Sequence, residues 1–111
     1  MKYSDKQRLQ KIYKNAIELR DFVTEYDIKR DALIANRHLQ WLITTPLSNI
    51  GEHVYHLSEE YKNSHSEIPW PLIAGMRHRL VHDYDGTHWD LVADVVFDDV
   101  PVLISYLEKS M

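Results

Sequence analysis

Apolar residues recur at every third or fourth position over most of the chain, the spacing of one face of an α-helix. The first run is Leu9, Ile12, Tyr13, Ala16, Leu19, Val23 and Tyr26. Ser4 followed by Gln7 has the spacing of a capping box, which satisfies the unpaired amides of a first turn. A helix over 5–26 is predicted. A polar turn, DIKRD (27–31), with a candidate cap at Asp31, leads into Leu39, Ile43, Leu47, Ile50, Val54, Leu57 and Tyr61. That run predicts one long helix over 32–62. Pro46 removes a backbone donor inside it, so a kink or short break is expected near Thr44–Thr45. NSHSE (63–67) reads as a loop.

Pro69 and Pro71 suit a first helical turn, where a missing amide hydrogen costs little. A third helix is therefore predicted from Trp70 to Asp83 or Tyr84, with Gly86 as its stop. Thr87 and Asp90 resemble another N-terminal capping pair. The last helix carries Leu91, Val92, Val95, Val96, Val100, Leu103 and Leu107, with a bend at Pro101. Three glycines and four prolines are too few turn residues for a β-sandwich of this length. There is no internal repeat or linker, and 111 residues make one domain, 1–111. The expected fold is all-α, an antiparallel bundle of four to five helices kinked at Pro46 and Pro101.

Composition changes this picture by exclusion. With 44% apolar and 27% charged residues the chain is an ordinary globular mix rather than a disordered one. The absence of cysteine removes disulfides, thiolate nucleophiles, iron–sulfur clusters and cysteine-ligated zinc. The longest uncharged stretch, His38 to Gly51, is too short and polar to cross a bilayer. The opening MKYSDKQRLQ holds no apolar secretion core, so a soluble, cytoplasmic domain with no membrane partner is expected. A net charge of −4 disfavours a broad basic face for nucleic acid. Any phosphate site must be local.

The densest cluster of functional groups is GMRHRLVHDYDGTH (75–88). Arg77 and Arg79 supply planar forks that suit phosphate. His82 can exchange a proton near neutral pH. Ribonucleotide cleavage needs the 2′-hydroxyl deprotonated, the 5′-oxygen protonated and the phosphorane charge stabilised. A histidine serves either proton task and an arginine the charge, without a metal. On one helix Arg77 and His82 lie roughly 140° apart and about 7.5 Å along the axis. Either the helix ends near His82, or a second copy of the chain completes the site; the geometry leans toward the second.

Arg77-His78-x3-His82 resembles the signature of the HEPN superfamily, and its extension to Tyr84, Arg-x4-His-x-Tyr, is similar to the HepT-like branch. IGEHVYHLSEEY (50–61) and IPWPLIAGMRHRLVHDY (68–84) resemble the branch's flanking segments, and the likeness runs from about residue 5 to 108. It implies a HEPN-like bundle that dimerises and acts as a metal-independent ribonuclease toxin on RNA. Arg77 and His82 of both protomers would meet at the dimer interface as the catalytic pair. His78 would be the supporting polar position, beside Arg79, where the branch commonly carries asparagine. The resemblance further implies an MNT-type nucleotidyltransferase antitoxin as partner, able to adenylylate Tyr84. No cofactor is implied.

Plainer readings stand beside these. Arg77 could be a helix residue paired with Asp83 or Asp85, His82 a helix-end histidine favoured by the macrodipole, and Tyr84 a boundary aromatic. His53 with His56, and His78 with His82, have metal-compatible spacing, but no H-E-x-x-H pattern accompanies them and no native metal site is expected. Trp41, Trp70 and Trp89 could stack bases, though packing is the favoured role. The alternative function is a non-catalytic helical subunit that binds and regulates a nucleotidyltransferase.

Overall fold

Every regular element of the structure is helical. The computed structural model describes residues 2–82 and 85–110, and no strand occurs among them. In chain order the elements are α1 (Asp5–Glu25), α2 (Arg30–Ala35), α3 (Arg37–Tyr55), α4 (Glu59–Ser64), α5 (Trp70–His82), α6 (Trp89–Asp94), a π-helical turn (Val95–Asp99) and α7 (Val100–Ser110). The last three follow without interruption as one rod. Four long rods, α1, α3, α5 and α6–α7, make the bundle, with α2 and α4 as short connectors.

Local chemistry explains where each rod begins. Ser4 Oγ accepts from the Gln7 amide at 3.1 Å while Gln7 Oε1 accepts from the Ser4 amide at 2.9 Å, the reciprocal box expected for α1. The long helix expected over 32–62 is instead three pieces. Asn36 Oδ1 accepts from the Leu39 amide at 3.1 Å and starts α3, and Ser58 Oγ accepts from the Tyr61 amide at 3.1 Å and starts α4. Ser58 also donates its own amide and hydroxyl to the Asp5 carboxylate, at 3.0 and 2.6 Å, tying the start of α1 to the α3–α4 corner. The backbone stays helical through Pro46, with no break at Thr44–Thr45. The carbonyl that loses its donor there belongs to Leu42, a solvent-exposed residue.

Two further expectations need correction. Asp31 lies inside the first turn of α2, which begins after Lys29. Thr87 does not cap α6, whose N-cap is His88. Its hydroxyl instead donates to the Arg79 carbonyl at 2.8 Å and folds the loop back onto the last turn of α5. At the expected bend by Pro101 the chain forms the π-helical turn, in which the Val100 amide donates to the Val95 carbonyl five residues back.

The core follows the apolar stripes. Ile43, Leu47, Ile50 and Val54 of α3 are fully buried with Ile73 and Met76 of α5, Ile12 and Ala16 of α1, and Leu103 and Leu107 of α7. Each such side chain contributes about 1.5–3 kcal/mol relative to leaving it in water. α3 packs closely against both α1 and α5. Its crossing with α5 centres on Gly51, where a Cβ would sit 2.8 Å from the Arg77 backbone nitrogen and 3.0 Å from the Ile73 carbonyl oxygen. Trp70 is buried and donates its Nε1–H to the His65 carbonyl at 2.8 Å. Trp89 packs against the core, and Trp41 is half-exposed.

Charge is segregated along the bundle. Lys2, Lys6, Arg8, Lys11 and Lys14 crowd the start of α1, with Asp5 the single acid among them. Asp90, Asp94, Asp98 and Asp99 follow the α6 rod. Arg30, just beyond the far end of α1, pairs with Asp94 and donates to the Asp90 carbonyl at 3.2 Å. Burial, with Asp98 and Asp94 nearby, pushes the Asp99 carboxyl above the usual carboxylate range. Among the described residues, no helix is long and apolar enough to cross a membrane.

Candidate active site

Trp70, Ile73, Met76 and Leu80 are the buried side of α5, spaced at three or four. That burial leaves Arg77, His78 and His82 on the helix's outer side. His78 and His82 are exposed, and the Arg77 side chain is 43% exposed at the edge facing α3. None of the three is locked in the interior. His78 and His82, one turn apart, bring their ring centroids within 5.4 Å. Arg79 is partly buried near the loop, where its carbonyl receives Thr87. Asp83 and Tyr84 lie outside the described residues.

Arg77 is paired, though not with Asp85, the one expected aspartate among the described residues. Its Nε lies 2.8 Å from Glu52 Oε1, and the other carboxylate oxygen of Glu52 is 3.7 Å from His56 Nε2. Asp85 is 3.9 Å from Arg37 instead. With both side chains over 40% exposed, the Arg77–Glu52 pair adds only about 0–1 kcal/mol to stability. Its consequence is geometric: the guanidinium is held at Nε beside an open cleft.

That cleft, about 330 Å³, is lined by Glu52, Tyr55, His56, Ala74, Arg77 and His78. A groove of about 600 Å³ adjoins it and shares Tyr55, Ala74 and His78 with it. Gly75 lines the groove, and a Cβ there would meet nothing within 4 Å. His82 lines neither depression. Within one chain the structure thus gathers Arg77 and His78 and leaves His82 a turn away on the same helix.

Sequence reasoning alone misses Glu52, Tyr55 and His56 as site residues, His56 entering only as half of a metal-spaced pair. The two histidines of that pair diverge: His56 approaches Glu52, and His53 approaches Arg8. Among the described residues no three His, Asp or Glu side chains converge as a metal-binding group. The available signal is Gly51. A glycine inside a well-patterned helix marks close helix approach, and the residue after it faces the crossing partner.

Comparison with known proteins places this chain among ribonucleases. The profile of the family described as "Ribonuclease HepT-like" matches residues 12–110. A provisionally named RNase of Methanocaldococcus jannaschii is 30% identical over 98 residues, 88% of this chain and 79% of that protein. A provisionally named ribonuclease HepT of Thermococcus cleftensis is 33% identical over 109 residues, 98% of this chain and 97% of its own length. A provisionally named RNase of Caldanaerobacter subterraneus subsp. tengcongensis is 39% identical over 57 residues, 51% of each chain. No solved structure matches the chain.

Proposed function

Because the chain belongs to the HepT-like ribonuclease family, we propose that it is the metal-independent endoribonuclease toxin of a HEPN/MNT pair. The observation that supports this best is the half-exposed Arg77, steadied at Nε by Glu52 and opening on a cleft with His78. A guanidinium so placed can take a phosphate on its terminal nitrogens. In the reaction the 2′-oxygen attacks phosphorus, the bond to the 5′-oxygen breaks, and a 2′,3′-cyclic phosphate forms. His82 takes the proton from the 2′-hydroxyl or delivers one to the leaving 5′-oxygen. Arg77 stabilises the charge on the phosphorane, with His78 and Arg79 as supporting groups.

His82 lines no cleft together with Arg77 in one chain, so the site is composite in this reading. Two copies pair about a twofold axis and bring Arg77 of one against His82 of the other. Tyr84 is the site at which a nucleotidyltransferase antitoxin adenylylates and silences the enzyme. The test is incubation of the purified chain with RNA in excess chelator. Fragments ending in a 2′,3′-cyclic phosphate are expected, and RNA left intact both with and without divalent metal would reject the reading.

Glu52 acts here as a positioning residue. Glu52→Ala is expected to lower kcat about tenfold by letting Arg77 swing. Glu52→Gln, which keeps the shape and loses the charge, should fall between. The melting temperature should stay within a few degrees, since the pair is exposed. An unchanged kcat in Glu52→Ala would remove the role.

A further inference from the structure

The opening of α1 carries more positive charge than any other stretch of this acidic chain, and the structure gathers part of it around one aromatic ring. Lys11 Nζ lies 4.7 Å from the centroid of the Tyr3 ring, and the Arg8 guanidinium carbon 5.4 Å from it. The His53 ring meets Tyr3 edge-on at 6.0 Å. Tyr3 stays 40% exposed. A shallow depression of about 350 Å³ beside it is lined by Tyr3, Gln7, Gln10, Lys11 and Lys14.

No carboxylate among the described residues comes within ion-pair distance of Arg8, Lys11 or Lys14. Arg8 Nη1 instead lies 3.1 Å from His53 Nδ1, a contact that suits a neutral imidazole as acceptor. Burial, then Arg8 and Lys11, push the His53 ring below its usual range. Among the described residues, then, no acid neutralises these cations.

Position gives the patch its meaning. His53 and Glu52 are consecutive on α3, one reaching Arg8 of α1 and the other Arg77 of α5. Asn49, one turn earlier, reaches Asn15 of α1 at 3.4 Å. The patch and the cleft are thus neighbours across the width of a single helix. The Asp5–Ser58 bonds fix the start of α1 at that corner.

We propose that Tyr3, Arg8, Lys11 and Lys14 form a docking strip for single-stranded RNA that leads the strand into the Arg77 cleft. This rests on the ribonuclease reading and deepens it by naming how the substrate is held. Lys11 and Lys14 take phosphates, and Tyr3, from whose ring Lys11 turns away to a phosphate, stacks on a base, the combination that single-strand binders use without reading sequence. An RNA occupant is favoured over a protein one because the strip is cationic, carries a stacking ring and adjoins the proposed phosphate site.

The test is fluorescence anisotropy of the full chain with a labelled 2′-O-methyl RNA of about twelve nucleotides, which lacks the attacking hydroxyl. Lys11→Ala combined with Lys14→Ala should weaken binding about tenfold at low salt. The log–log salt slope should flatten by about 0.7 for each phosphate that is no longer neutralised. Tyr3→Ala should weaken binding about fivefold or more, with Tyr3→Trp restoring it. Lys109→Ala, on α7, should change nothing. Wild-type affinity in the Lys11/Lys14 and Tyr3 variants, or no binding by the wild type, overturns the strip. Cleavage by these variants is read separately: a failed strip with chelator-resistant cleavage intact leaves the ribonuclease reading standing.

Discussion

His82→Ala is expected to reduce RNA cleavage by about 10²- to 10⁴-fold, the usual contribution of a positioned proton-transfer group. Arg77→Ala should cost about 10²- to 10³-fold, as removal of a donor aimed at developing charge does. Arg77→Lys should recover little, because an ammonium cannot match the planar fork. His82 is exposed and Arg77 half-exposed, so melting should shift by little more than the scatter of surface substitutions, about 0.5 kcal/mol. The two inactive variants also test the composite site. In the proposed composite arrangement, co-expression yields mixed dimers in which one site joins the intact Arg77 of one chain to the intact His82 of the other. Partial recovery of cleavage is expected. Wild-type activity in both single variants would reject the catalytic pair, and no recovery on mixing would place the pair within one chain.

The second large effect is on the scaffold. Gly51→Ala should destabilise the fold by about 1–3 kcal/mol, the typical cost of overpacking. The added Cβ would meet the Arg77 nitrogen at 2.8 Å, the Ile73 carbonyl oxygen at 3.0 Å and the Ala74 carbonyl oxygen at 3.3 Å. All three are backbone atoms, so no side chain can swing aside and α3 must move off α5. The gain of about 1 kcal/mol in helix propensity offsets only part of this. The melting temperature should fall by roughly 5–15 °C. Cleavage should drop even where the protein stays folded, because the displaced backbone carries Arg77. Gly75→Ala is the natural control, since its Cβ enters open space and should stabilise the helix. A Gly51→Ala protein that melts with the wild type would show that the crossing is looser than its geometry states.

How much of this is legible in the sequence differs between fold and site. The periodic apolar stripes reveal the four rods and the core residues Ile43, Leu47, Ile50 and Val54, because burial of one helix face leaves a pattern in the chain itself. The interruptions at Asn36 and Ser58 are hidden by that same pattern. The stripe runs in register across Ser58 and starts only after Asn36, so the side-chain caps alone reveal the breaks. Pro46 suggests a break that does not occur, since the backbone stays helical where the donor is missing.

At the site, Arg77, His78 and His82 are visible as a dense run of chemistry-bearing residues on one helix. Glu52 is not. Its importance comes from the crossing at Gly51, which brings side chains of residues 52 and 77 within 2.8 Å. Thr87 resists a local reading for a similar reason, as its hydroxyl turns back to Arg79 rather than forward to α6. The meeting of Arg8 with His53 likewise spans 45 positions and leaves no local trace.

The lysines at the start of α1 and the aspartates along the α6 rod set cationic and acidic groups on different parts of this molecule. In the field of a polyanion such a body experiences a torque before it experiences contact. Its acidic end is turned outward and its lysine-rich end inward. A chain that is repelled on average can therefore still make productive encounters, with the orientation chosen during approach rather than searched for afterwards.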